Sequence, residues 1–96
     1  MIRHTVVFTL VHPLGSAPEE SFLEAALRLG DIPGVQRYEQ LRQVSPTSDF
    51  TFGFSMEFDD EAAYRRYDEH PDHRAFVQDR WLPEVAAFQE LDFVVL

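Results

Sequence analysis

Tyr67, His70 and His73 fall within one short run, Tyr67-Asp68-Glu69-His70-Pro71-Asp72-His73, and His4 stands near the start of the chain. Imidazole and phenol are a natural pair for moving protons at neutral pH. A neutral histidine removes an acidic C–H proton, and a tyrosine hydroxyl steadies the enolate oxygen that results. Pro71 suits the first position of a helix, which puts His73 in the first turn, where the positive end of the helix dipole disfavours a charged imidazole. Asp68, Glu69 and Asp72 lie close by and pull the other way. The tight His-Pro turn can bring the Tyr67 hydroxyl, at the end of the preceding helix, close to His73. The same run also has a plainer reading, in which His70 caps the second helix and His73 bonds a backbone carbonyl. His4 is likewise open to two readings. On its strand face it sits among Ile2, Val6 and Phe8, where a polar ring needs a partner whether it is catalytic or simply part of the core.

Other chemistries are excluded by what the chain lacks. There is no cysteine, which removes thiol nucleophiles, thiolate metal sites and disulfides. All eight basic residues are arginine, so lysine Schiff bases are excluded too. His70-x-x-His73 with Asp72 offers no third ligand of fixed proximity, so neither a metal nor any other cofactor is expected. The serines fall in turns or on polar strand faces with no set relation to a histidine. A net charge of −9 repels nucleic acid and anionic membranes, and the one basic pair, Arg65-Arg66, is ringed by Asp59, Asp60, Glu61, Asp68 and Glu69.

Ninety-six residues make one domain with one core, so any site lies inside that core or between copies. No apolar run reaches the roughly 20 residues of a membrane helix, and nothing at the start resembles a secretory signal. The cytoplasm is therefore the expected location. The absence of both lysine and asparagine, which have A-rich codons, points to a GC-rich bacterial coding sequence.

The elements that must position these side chains follow from periodicity. Ile2 to Val11 alternates, with Ile2, His4, Val6, Phe8 and Leu10 on one face, and reads as a strand. Ser16 and Glu19 have the spacing of a capping box, opening a helix whose apolar stripe includes Phe22, Leu23, Ala25, Ala26, Leu27 and Leu29, with Gly30 at its stop. Pro33-Gly34 is a turn into a weaker strand from Val35 to Val44. Phe50, Phe52, Phe54, Met56 and Phe58 then alternate with smaller or polar residues, the strongest strand pattern present. Asp59 or Asp60 caps a helix through Tyr64 and Tyr67. After His70-Pro71 a further helix carries Phe76, Val77, Trp81, Val85 and Phe88, and Glu90 to Leu96 reads as a closing strand.

The order β-α-β-β-α-β is the ferredoxin-like split βαβ arrangement, an α+β fold with helices on one face of a four-stranded antiparallel sheet. The other face carries Val7 and Val11, and the last strand is apolar on both parities. A sheet apolar on both sides needs a second cover, and a homodimer is the economical answer.

The chain resembles the stress-responsive α/β-barrel domain family, one of the dimeric α+β barrels. The resemblance rests on Ile2-Arg3-His4-Thr5-Val6-Val7-Phe8, Ile32-Pro33-Gly34-Val35, the Phe-rich third strand and the Tyr67 to His73 run, and covers nearly the whole chain as a single domain, 1–96. It implies a homodimer whose two sheets form a barrel, with a cavity in each subunit between sheet and helices. A plant polyketide cyclase in the family uses a Tyr and His pair, which falls by position on Tyr67 and His73. That cyclase has a further cavity histidine where Phe52 stands here, which implies a different substrate or none.

Two functions are compatible with these residues. In one, the dimer is a binding module that holds a small apolar or aromatic ligand among Val6, Phe8, Phe22, Ala25, Phe52, Phe54, His70, Phe76 and Trp81. In the other it is a cofactor-free cyclase, isomerase or lyase, with His73, Tyr67 and His4 as catalytic groups. A cofactor-free monooxygenase shares the architecture, but no residue distinguishes it.

Overall fold

The computed structural model describes residues 1–96. Four strands, β1 (Ile2–Leu10), β2 (Gln36–Arg42), β3 (Phe52–Phe58) and β4 (Val85–Phe93), form one antiparallel sheet in the order β2-β3-β1-β4. The two strands with the cleanest alternation, β1 and β3, take the centre. His4, Val6, Phe8 and Leu10 of β1 are buried, while Arg3, Thr5, Val7 and Thr9 between them are not.

Three helices cover one face. α1 (Ala17–Ala26) begins at Ser16, whose hydroxyl accepts from the Glu19 N–H at 3.4 Å, and runs on as a 3-10 turn over Leu27–Asp31. The Glu19 carboxylate reaches back to the N–H of Gly15 at 3.1 Å, because the N–H of Ser16 already donates to the Pro13 carbonyl at 3.2 Å. The expected capping box is thus half formed. The Pro33-Gly34 turn closes with the Val35 N–H donating to the Ile32 carbonyl at 3.1 Å, and Gly34 takes φ 93°, a conformation other residues adopt only with strain.

α2 (Glu61–Glu69) is capped by Asp60, which accepts from the Ala63 N–H at 2.8 Å. His70 ends it and opens α3 (Pro71–Phe76), its Nδ1 accepting from the Asp72 N–H at 3.1 Å. The chain continues through a π turn, Val77–Trp81, and a last helical turn, Leu82–Glu84. No helix is long and apolar enough to cross a membrane.

The boundaries of β4 correct the sequence reading, which placed Val85 and Phe88 on a helix and began the strand at Glu90. The helix ends at Glu84 and the strand starts at once. An irregularity opposite Thr9/Leu10 leaves Ala86 unpaired, since Leu10 faces Val85 and Thr9 faces Ala87. That extra residue lets Val85 and Phe88, three apart, both turn toward the helices, a spacing that imitates a helical stripe. At the other end, residues 94–96 lie outside the strand. β2 and β3 are also shorter than their sequence patterns suggest, starting at Gln36 and Phe52.

Aromatic rings fill the space between sheet and helices. Phe8, Phe22 and Phe58 have no exposed surface. The Phe8 ring lies 4.7 Å from Phe54, 5.1 Å from Trp81 and 5.8 Å from Phe22, in tilted or edge-on contacts that favour π-quadrupole attraction. Phe8→Ala should lower unfolding free energy by about 3–5 kcal/mol, read as a fall in urea midpoint at fixed protein concentration. A loss below about 1 kcal/mol would show that this ring does not hold the layers together.

Candidate functional site

Between the sheet and the C-terminal helical segment lies a cavity of about 270 Å3. Its floor is Val6 and His4 from β1, Phe54 and Met56 from β3, and Phe88 and Glu90 from β4. Tyr67, His73, Phe76, Val77, Trp81 and Leu82 come down from the helical side, and Leu29 closes one end. The π turn matters here. The Leu82 N–H reaches back five residues to the Val77 carbonyl, which widens the helix where Val77 and Trp81 meet the cavity.

The site is apolar with a few polar groups, His4, Tyr67, His73 and Glu90. His73 is half-buried, and its Nδ1 donates to the Asp68 carbonyl at 3.0 Å. This bond fixes the proton on Nδ1 and leaves Nε2 as a lone pair with no partner in the chain. Burial holds His73 below its ordinary value of 6.5, against the Asp68 carbonyl and carboxylate, which favour the charged form. Tyr67 is 2% exposed, and its ring centroid lies 4.5 Å from that of His73 and 6.3 Å from that of His4. Burial, reinforced by nearby negative charge, raises Tyr67, so its hydroxyl remains a proton donor. That hydroxyl makes no hydrogen bond within the chain.

His4 has the partner that its place on an apolar face demanded. Its Nδ1 is 2.6 Å from Asp92 Oδ1 and 2.7 Å from the Tyr64 hydroxyl, which in turn donates to Asp92 Oδ2 at 3.0 Å. Because a carboxylate accepts, Nδ1 carries the proton and Nε2 is again left without a partner in the chain. Tyr64 stacks on Phe58 with centroids 5.0 Å apart, and burial, then Asp92, keeps its phenol protonated.

Of the residues singled out from sequence, the cavity brings together His4, Tyr67, His73, Val6, Phe54, Phe76 and Trp81. Phe8, Phe22 and Phe52 pack behind it in the core. Ala25 lines a different feature, an open groove of about 830 Å3 outside α1 and α3 that contains no histidine. His70 serves as the helix cap, turned away from the cavity. No three His, Asp or Glu side chains are arranged to hold a metal ion.

Sequence reasoning did not single out Asp92, Glu90 or Tyr64 for the site. The signal was present in the alternation of Glu90 and Asp92 with Leu91 and Phe93, which assigns both acids to one strand face. Their meaning needs the register, which sets Asp92 opposite His4 and Glu90 opposite Val6. Tyr64, three residues before Tyr67, shares its face of α2.

The topology defines a ferredoxin-like α+β fold, and comparison narrows it. The Stress responsive A/B Barrel Domain family model matches residues 2–95, and the chain belongs to that family. A solved structure of a Dabb family protein with a ferredoxin-like fold from Mesorhizobium loti is 60% identical, covers 99% of this chain and 96% of its own, and has a TM-score of 0.97. A dimeric ferredoxin-like protein of unknown function from Thermobifida fusca is 25% identical, with coverage of 98% and 90% and a TM-score of 0.80. Hydroxynitrile lyase from Passiflora edulis shares the fold at 17% identity, with coverage of 99% and 93% and a TM-score of 0.85. Comparison with curated proteins finds no match.

The buried state of His73 is directly measurable. Its imidazole should titrate below 6.5 by 15N NMR, retaining an Nδ1–H at neutral pH. A midpoint above 6.5 would mean that the carboxylates around it outweigh its burial.

Proposed function

We propose that this protein is a homodimeric, cofactor-free acid–base catalyst that acts on a small, largely apolar carbonyl compound. His73 Nε2 removes a C–H proton next to the carbonyl, and the Tyr67 hydroxyl donates to the enolate oxygen as it forms. The observation that carries this reading is that neutral His73 and protonated Tyr67 line one cavity with their reactive atoms unpartnered. Capture of an apolar or aromatic ligand is the first step of the reaction and would be the whole function of a binding module. A module, however, would have no use for a neutral base beside its ligand space.

Turnover can be tested without knowing the natural substrate. The protein should exchange the α-protons of cyclohexanone in D2O, followed by 1H NMR, and His73→Gln or Tyr67→Phe should slow exchange by about 10²–10⁴-fold. The rate should rise with pH through the His73 titration below 6.5 and reach a plateau by neutrality, since only the neutral form accepts a proton. A His73→Gln variant as fast as the wild type would leave the binding module as the better description.

The dimer is supported by the outer sheet face, where Leu41, Leu91 and Phe93 remain 41–52% exposed. Solved relatives described as dimeric share the fold. Sedimentation at micromolar concentration should give twice the chain mass of 11.2 kDa, and Leu91→Arg should convert it to a monomer. A monomeric wild type would contradict the proposal.

A further inference from the structure

We propose that His4 is a second proton-transfer group of this cavity, held in one tautomer by Asp92 and Tyr64, so that the site shifts a proton between two carbons of one unsaturated carbonyl substrate. This rests on the proposed role of His73 and Tyr67, and it specifies the reaction class.

His73 Nδ1 is held by one backbone carbonyl, that of Asp68. His4 instead has a carboxylate at 2.6 Å and a phenol at 2.7 Å on the same nitrogen, with those two groups joined to each other at 3.0 Å. The His4 side chain is 8% exposed and that of Asp92 40%, so a buried ring is held from its outer side by two polar side chains, one from α2 and one from β4. All of that fixing is on Nδ1. Nε2 is left facing outward from the triad, and His4 lines the cavity. A carboxylate behind an imidazole selects its tautomer and offsets the charge that appears when the far nitrogen takes a proton.

The Tyr67 ring neighbours both imidazoles, at 6.3 Å from His4 and 4.5 Å from His73. A carbonyl oxygen bonded to Tyr67 therefore has a proton-transfer nitrogen on each of two walls. In a β,γ-unsaturated ketone, His73 Nε2 takes the α-proton. The C–H electron pair becomes a new C=C bond, and the carbonyl π pair moves to oxygen. His4 Nε2, carrying a proton drawn from solvent, then gives it to the γ-carbon. The carbonyl re-forms and the double bond moves into conjugation. His73 ends protonated and His4 neutral, and exchange with water resets both. No oxidant, reductant or further reactant is needed. Asp92 and Tyr64 are positioning residues that act through His4.

The test compares wild type, His4→Gln, Asp92→Asn and Tyr64→Phe with two probes. One is α-proton exchange of cyclohexanone, and the other is conversion of 3-cyclohexen-1-one to the conjugated 2-isomer, followed by ultraviolet absorbance. His4→Gln should cut isomerisation about 10²-fold or more while exchange falls much less. Asp92→Asn and Tyr64→Phe should each cut isomerisation about tenfold, with binding of cyclohexanone retained and the His4 15N signals changing from Nδ1–H to a tautomer mixture. In the wild type, whatever the variants do, His4 should show the Nδ1–H tautomer. An Nε2–H tautomer there, or equal isomerisation by His4→Gln and wild type, would overturn the proposal. Failure of the wild type to exchange cyclohexanone would instead count against the His73 reading, separately from the tautomer result.

Discussion

Pairing of β4 with β1 sets the polar groups of the cavity floor in place. The side chains of a strand alternate between faces, so a slip of one residue would turn Glu90 and Asp92 to the outer face and lay Leu91 toward the cavity. In the observed register Asp92 stands opposite His4, Glu90 opposite Val6 and Phe88 opposite Phe8. The unpaired Ala86 is part of this setting, because it shifts the register by one between the start of β4 and the rest of the strand. The resulting His4 to Asp92 contact joins residues 88 positions apart, and so the site forms only when both ends of the chain have met.

The apolar core and the polar site are complementary in energetic terms. Tightly packed rings such as Phe8, Phe22 and Phe58 supply burial, each on the order of 1.5–3 kcal/mol. Against this stands the cost of keeping the His4 imidazole and the Tyr67 phenol in the same interior. Hydrogen bonds hold His4, Tyr64 and His73 each in one arrangement, which limits the cost and fixes the direction of the atoms left over, while the Tyr67 hydroxyl makes none within the chain. Burial also sets their protonation. It keeps His73 neutral and both Tyr64 and Tyr67 protonated, which is the division of states that proton abstraction and enolate stabilisation require.

Local chemistry made much of the fold legible in the sequence. The alternation in β1 and β3, the Pro33-Gly34 turn, and the His70-Pro71 junction with its capping histidine are all readable from short spacings, and the Tyr67 to His73 pairing came with the family resemblance. His73 does bond a carbonyl, as the plainer reading required, but through Nδ1 alone, so that bond and a free Nε2 coexist. What sequence could not supply was long-range register. Nothing in the spacing of the β4 acids tied them to His4, and it is the pairing that sets Asp92 opposite it. Phe88 and Val85 imitated a helix because one unpaired residue changed a period of two into a spacing of three. Phe52, Phe8 and Phe22, each on the expected face, lie in the packed core because the cavity sits toward the C-terminal helical segment.

The most direct test of the account is a crystal structure of the protein at neutral pH soaked with cyclohexanone. The account predicts density in the cavity of about 270 Å3, with the ketone oxygen within hydrogen-bond distance of the Tyr67 hydroxyl and a ring carbon beside it facing His73 Nε2. Ketone found only in the groove outside α1 and α3, or a cavity collapsed onto Trp81 and Phe88, would contradict it.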